Sequence, residues 1–341
     1  MQKENIRRFS LASMKEVMMK LGTESYHGEQ IFQWIWQKNA EDFSVMTNIS
    51  KEFRESLALK FLISGLKIEE ILSATDGSKK YRLNTEDKKM IETVFIPEAK
   101  RNTVCVSTQV GCPLNCKFCA TALMGFKRNL KAYEIADEIC IVQKNTNKKT
   151  TNIVFMGMGE PLLNLKEVTD AIEITSSSIG LSISQRHTTI STVGLIQGIR
   201  TLLMSPLKVK LAISLNFPDE EMRKDMIPIT RENPLSELLK CAKEYSLRKN
   251  MVTFEYVLID KINDTIKDAR RLIGLLKGIP SKINLIPYNP CPALPYKCPS
   301  RKRMVRFYDY LLTSHHTVTL RKSRGQEIQA GCGQLGVRQL K

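Results

Sequence analysis

The chain has 341 residues, 42% hydrophobic and 26% charged, which marks a globular protein of about two domains and excludes a disordered one. Lys and Arg number 52 against 35 Asp and Glu; the net charge of +17 is spread through KRNLK, NKK, SRKRMVR and TLRKSR, so a polyanion is the expected partner, and nucleic acid is preferred over a membrane surface. No apolar run is long enough to cross a bilayer and MQKENIRRFS lacks a signal-peptide core, so a cytoplasmic protein without membrane attachment is expected.

Residues 1–64 read as a small helical domain. Ser13-Met14-Lys15-Glu16 has the spacing of a capping box, and Gly22 sits where a short first helix would stop. Phe32, Ile35 and Trp36 share a helical stripe, as do Phe53 and Leu57, so core packing is the expected use of both tryptophans rather than stacking on RNA. Over 65–98 the pattern turns to strands: KIEEILS and KKYRLN flank Asp76–Gly77, a hairpin signal, and KMIETVFIP follows. Across 99–322 strand-like runs (TVCVST, NIVFM, HTTIST, KVKLAISL, MVTFEYVLI, KINLIP, HTVTLRK) alternate with amphipathic stretches such as KAYEIADEICIVQ and IKDARRLIGLLKG. This alternation predicts an α/β fold with a parallel sheet, and by period alone an open doubly wound sheet and a full or partial barrel both stand. In either, loops at the C-terminal strand ends build the site. The cysteine loop after TVCVST, Gly157–Met158–Gly159–Glu160 after NIVFM, and Asn289 after KINLIP all emerge there. Residues 323–341 read as a C-terminal loop.

Nine cysteines in a reducing compartment point to metal or redox chemistry before structural disulfides. Cys140 and Cys241 fall in amphipathic helical patterns and read as small buried hydrophobes; Cys291 and Cys298, in NPCPALPYKCPS, read as ordinary loop thiols. GCPLNCKFCA gathers Cys112, Cys116 and Cys119, with Cys105 ahead of them on a strand. Zinc sites usually pair two C-x-x-C knuckles, and only one is present, while Cys105 is awkwardly placed to complete a tetrahedron. Three cysteines in one loop after a strand suit a [4Fe–4S] cluster with one iron open, and that reading is preferred over zinc.

The C-x-x-x-C-x-aromatic-C spacing, with Phe118 before Cys119, resembles the signature of radical S-adenosylmethionine enzymes. With Cys105, MGMGEPLLN (156–164), ISTVG (190–194), AISLN (212–216), INLIPYNP (283–290) and AGCGQL (330–335), nearly the whole chain resembles the RlmN/Cfr-type radical S-adenosylmethionine RNA methyltransferases. GEQIFQWIWQKN…ISKEFRESL is similar to the family's N-terminal helical module, which helps bind RNA. The resemblance implies a partial (β/α)6 barrel with a β extension and the small helical domain. It implies one [4Fe–4S] cluster on Cys112, Cys116 and Cys119, and two molecules of S-adenosylmethionine per turnover. Gly159 and Glu160 match contacts to the amino end of that cofactor, and Ser191, Ser214, Leu215, Asn216 and Asn289 match further contacts, with Met156 and Phe118 packing nearby.

The implied reaction puts a methyl group on an adenine ring carbon, an sp2 centre too weakly nucleophilic to attack a methyl sulfonium, so radical addition replaces polar displacement. In that scheme Cys332 becomes an S-methylcysteine, and a 5′-deoxyadenosyl radical takes hydrogen from its methyl group. The methylene radical adds to adenine, Glu92 accepts a proton, and Cys105 resolves the crosslink through a transient disulfide with Cys332. The implied substrates are 23S rRNA and tRNA at adenine C2, with C8 of the same rRNA adenine as the alternative. A flavodoxin or ferredoxin is the implied electron donor, and a monomer is expected. This chain departs from the family at Asn216, commonly a His, at Gly331 where Ala is usual, and at Gln329, which replaces a common acidic residue. A non-catalytic zinc-stabilised RNA-binding module and a glycyl-radical activase are the readings from other classes; the activase gives Cys105 and Cys332 nothing to do.

Overall fold

Each strand of the main sheet pairs with the strands before and after it in the chain. The computed structural model describes residues 3–336, and among them ten strands form one sheet in sequential order. They are β1 (Lys67–Ser73), β2 (Lys79–Asn84), β3 (Met90–Glu98), β4 (Arg101–Cys105) and β5 (Asn152–Phe155). Then come β6 (Thr188–Thr192), β7 (Lys210–Ser214), β8 (Val252–Leu258), β9 (Ser281–Pro287) and β10 (Thr317–Leu320). From β1 to β4 the pairing is antiparallel, and from β4 to β10 it is parallel. The strands β1 and β10 are the two ends and do not pair, so the barrel is partial, with β1–β3 extending its first strand.

Six helices make the parallel crossovers: α4 (Ala132–Thr146), α5 (Leu165–Ser176), α6 (Ile196–Met204), α7 (Leu235–Arg248), α8 (Ile266–Leu276) and α9 (Arg301–Leu311), after α1 (Leu11–Lys20), α2 (Tyr26–Trp36) and α3 (Lys51–Lys60). The helix α8 illustrates why they form. Thr265 caps it, Asp268 returns the bond to the Thr265 N–H, and Ala269, Leu272 and Leu276 bury one stripe. Each buried leucine contributes about 2 kcal/mol. No helix among the described residues is long and apolar enough to cross a membrane.

In the N-terminal module the start of α1 differs from the expectation. Ser10, not Ser13, is the cap: its Oγ accepts the Ser13 N–H at 3.2 Å, so Ser13 already lies in the first turn. Ser10 offers the same hydroxyl one turn earlier, and the helix takes the longer option. Gly22 does end it, in a left-handed conformation at φ 79°. Phe32, Ile35, Trp36 and Leu57 are buried as their stripes predict. Trp34 is only half-buried, its indole N–H donating to Asn48 and the Lys38 ammonium 3.7 Å above its ring.

A buried ion pair fastens this module to the barrel. The Arg7 guanidinium pairs with Asp137 of α4 and lies 5.4 Å over the Trp36 ring. The other Asp137 oxygen accepts the Leu66 N–H at 2.6 Å, and Gly65 leaves space for it, since a Cβ there would collide with the carboxylate. Removing one partner strands the other charge without water. Asp137→Ala is therefore expected to cost about 3–5 kcal/mol of unfolding free energy, measured by urea denaturation; a loss below about 1 kcal/mol would show the pair to be dispensable.

Candidate active site

Because β4 to β10 are parallel, their C-terminal ends share one rim, and the loops leaving it meet across the concave face. After β4, Gly111 turns the chain into the cysteine loop at φ 76°, and a Cβ there would strike the Gly125 carbonyl. The loop is held from three sides. Cys112 N–H donates to Gly125 O at 3.2 Å, Lys117 N–H to Met226 O at 3.0 Å, and Ala120 N–H to Gly333 O at 2.8 Å. The last bond, with Thr121 Oγ donating to Leu335 O at 2.9 Å, sets the C-terminal segment against the cysteines.

Cys112, Cys116 and Cys119 line one cavity of about 150 Å3, shared with Gly159, Glu160, Ser191, Ser214, Asn216 and Cys332. Phe118 and Met156 also line it, and Phe118 packs edge-on against Phe217. Burial pushes the Cys112 thiol up to about 12 and raises Cys116 and Cys119 as well. Without a metal these thiols hold their protons. Gly159 takes φ 98°, and any side chain there would run into Gln109. The Glu160 carboxylate is buried, accepting the N–H groups of Leu162 and Val193 at 3.0 Å each, yet burial outweighs these bonds and lifts it to about 7.

A second, smaller cavity of about 30 Å3 adjoins the first, with Cys105, Asn289, Arg321 and Cys332 in its walls. Cys332 and Met156 border both. Both thiols are free, and the Arg321 guanidinium is 3.9 Å from the Cys332 sulfur. Burial raises Cys105 and Cys332, and the Arg321 charge opposes the rise at each.

Other residues singled out from the sequence sit differently. Leu215 is in the core and lines neither cavity, so only its backbone reaches the rim. Asn216 adopts φ 57°, a conformation Asn tolerates, and its side-chain oxygen accepts the Val257 N–H at 3.0 Å. Its amide thus fixes the strand end at the wall of the larger cavity. The Asn289 side chain donates to the Cys332 carbonyl at 3.2 Å and accepts from Gln326 at 3.0 Å, so it holds the C-terminal loop. Glu92 lines neither cavity. It is buried two residues along β3 from Val94, the partner of Cys105, between the Lys80 ammonium at 3.5 Å and the Gly336 N–H at 2.8 Å. The C-terminal loop expected over 323–341 is described as far as Gly336; residues 337–341 lie outside the described residues.

Two charged residues of the site were not singled out. Glu255, buried on β8, accepts the Ser191 hydroxyl at 2.8 Å and the Ser214 hydroxyl at 3.5 Å, and lines the larger cavity. One acid inside the apolar run MVTFEYVLI was its signal. Arg321 was hidden in a basic stretch, TLRKSR, that reads as solvated surface.

Residues 106–273 match the model of the radical SAM superfamily, and residues 4–63 match that of the ribosomal RNA large subunit methyltransferase N-terminal domain. The chain is 41% identical to the dual-specificity RNA methyltransferase RlmN of Geotalea uraniireducens, over 98% of this chain and 97% of that one. It is 43% identical to the probable dual-specificity RNA methyltransferase RlmN of Dictyoglomus turgidum, over 99% and 98%. Its fold is similar to that of a radical SAM methyltransferase from Sphaerobacter thermophilus, with a TM-score of 0.93 and 37% identity over 98% and 99% of the two chains. The chain belongs to the RlmN family of radical SAM RNA methyltransferases. A [4Fe–4S] cluster and S-adenosylmethionine come with that family.

The thiols fit the cluster. Three of them face one cavity from a single loop, and a cubane takes each thiolate on a different iron. Cys105 faces Cys332 and not the triad, which removes the fourth thiolate from a zinc reading.

The raised Glu160 carboxyl gives the cavity a pH dependence. A cationic group seated against it displaces the proton, so affinity for S-adenosylmethionine is expected to fall as pH drops below about 7 and to level off above it. Equilibrium dialysis across pH on the cluster-loaded protein checks this: Glu160→Gln should flatten the dependence, and an unchanged slope in that variant would assign the titration elsewhere.

Proposed function

We propose that this protein methylates C2 of adenine in 23S rRNA and tRNA, carrying the new carbon on Cys332. One juxtaposition supports the reading above all others: Cys332 stands in the wall between the cavity of Cys112, Cys116 and Cys119 and the cavity of Cys105. The relatives' name, dual-specificity RNA methyltransferase, supports the choice of two RNA classes. The cluster, when bound, supplies the electron that breaks a sulfonium carbon–sulfur bond.

Cys112, Cys116 and Cys119 hold that cluster, and Glu160 with the Gly159 backbone receives the ammonium end of S-adenosylmethionine. Ser191 and Ser214, oriented by Glu255, and the backbone at Leu215 and Asn216 line its bed. Cys332 Sγ, as the thiolate, would take a methyl group from one S-adenosylmethionine, leaving S-adenosylhomocysteine, and would give up a methyl hydrogen to the 5′-deoxyadenosyl radical derived from a second, which leaves as 5′-deoxyadenosine, so two would be spent per turnover. Arg321 favours the thiolate that the first step needs. Asn289 holds the backbone of Cys332 and so positions its sulfur.

Once the carbon is bonded to adenine C2, the adduct is a radical that must give up one electron, which the oxidised cluster would accept, and Glu92 takes the proton from that position. To do so it releases the Gly336 N–H, so the C-terminal segment shifts during the cycle. Cys105 then attacks Cys332 Sγ. The S–S bond forms as the S–CH2 bond breaks, the carbon keeps the electron pair and gains a proton, and an external thiol reopens the disulfide. A flavodoxin- or ferredoxin-type donor supplies electrons, and the protein acts as a cytoplasmic monomer.

Mass spectrometry of nuclease-digested RNA from a knockout strain is expected to show loss of 2-methyladenosine, restored by the wild-type gene. Persistence of that nucleoside overturns the assignment, and loss of 8-methyladenosine in its place moves the reaction to C8. Cys105→Ala is expected to accumulate a covalent enzyme–RNA species on denaturing gels, absent from the Cys105→Ala/Cys332→Ala double variant. Separately, Cys116→Ala should lower the iron content to background after anaerobic reconstitution and abolish the brown colour; retention of full iron would remove Cys116 from the ligand set.

A further inference from the structure

The rim opposite the active site carries an unbalanced charge. The loops entering β6, β7 and β8 enclose a concavity of about 400 Å3 lined by Arg186, Lys208, Lys210 and Lys249, with no carboxylate in its walls. Arg186, Lys208 and Lys210 are exposed and form no ion pair among the described residues. Lys249 lies at its floor, its ammonium donating to the carbonyls of Leu202 at 2.8 Å and Leu207 at 3.2 Å, so this charge is fixed in place. Exposed Lys148 and Lys149 extend the strip at the entry to the neighbouring strand β5.

Several exposed cations on the outer helices have a carboxylate beside them, Lys166 with Asp170, Lys240 with Glu237 and Arg248 with Glu244, whereas no carboxylate lines this concavity. Like charges gathered in a concavity repel one another and focus a positive potential outward, a field that suits closely spaced phosphates. The strip is also continuous with the N-terminal module. Gln37 donates to the Ser178 carbonyl at 3.2 Å, and Gln185 bonds to Ser176 Oγ at 3.3 Å and to the Lys208 N–H at 3.0 Å.

We propose that this strip is a second RNA-binding surface, holding backbone phosphates of the substrate's flanking structure as it leaves the N-terminal module, on the rim away from the target base. The inference rests on the RNA methyltransferase reading and adds to it a contact that only a large RNA can make. Its recognition is electrostatic and independent of sequence.

The test compares the cluster-loaded wild type with Arg186→Glu/Lys210→Glu on two substrates: a full-length RNA transcript and a short stem-loop bearing only the target adenosine. For the full-length RNA, the plot of log affinity against log salt should lose about two units of slope and binding should weaken, because each lost phosphate contact removes about 0.9. Turnover of the stem-loop should stay at the wild-type level, which also reports an intact fold. Lys267→Glu/Lys302→Glu, the same charge change at exposed positions on α8 and α9, should alter the slope far less. An unchanged slope in the first variant, or an equal change in the second, overturns the proposal while leaving the methyltransferase reading intact. Failure of the wild type to bind or methylate either RNA overturns that reading itself, and this proposal with it.

Discussion

Buried charge on one face of α4 ties the molecule together. Glu134, Asp137 and Glu138 are all buried, and each finds its partner in a different part of the chain. Glu134 receives the Arg128 guanidinium at 2.7 and 2.8 Å, fixing the strand that flanks the cysteine loop. Asp137 takes Arg7 from the N-terminal module and the Leu66 N–H from the segment that follows it. Glu138 takes the Thr93 hydroxyl and, at 3.0 Å, the Ser107 N–H. From there Ser107 Oγ donates to the Glu92 carbonyl at 2.7 Å and accepts the Met158 N–H at 2.9 Å. A carboxylate out of water must be paired or protonated, so these bonds are obligatory for the fold. Burial pushes Glu138 above the usual carboxylate range, against the hydrogen bonds from Thr93 and Ser107. The cysteine loop, the Gly159 loop and the β3–β4 pair thus take their places from one helix.

The site itself depends on a different balance. Low polarity around the two cavities strengthens every charge within them, so the Glu160 carboxyl, the Arg321 guanidinium and the clustered thiols perturb one another. An adenine carbon needs a radical, and a radical needs shelter from water; thiols, an acid and a guanidinium that are buried or half-buried together provide functional groups in surroundings of low polarity. The cost of burying them is offset by hydrogen bonds from loop backbone, as at Glu160, and from neighbouring side chains, as at Glu255.

Much of this was legible in the sequence because it is periodic or local. The alternation of strand and helix patterns named all the parallel strands, and the x3–x2 cysteine spacing sits within one loop. Resemblance to a known family located most of the residues that line the larger cavity. Long-range partners were not legible. Asn289 bonds to Cys332, 43 positions away, and Ser191 to Glu255, 64 positions away, and no pattern in either segment specifies the other. Nor did the sequence show that the Leu215 side chain is buried in the core or that the Asn216 amide bonds to Val257 across the strand end. The first helix began a turn early because two serines compete for one cap.

The strictly sequential sheet has a temporal meaning. Each new strand finds its neighbour already in place, so the sheet can grow as the polypeptide leaves the ribosome, with little waiting for distant segments. Cys332 follows the last strand, and its loop docks on elements translated long before: Asp76 receives the Gly325 N–H at 2.9 Å and the Asn289 side chain donates to the Cys332 carbonyl. A nascent chain therefore acquires its scaffold first, and the wall that Cys332 gives to both cavities is completed last, after synthesis has passed the end of the barrel.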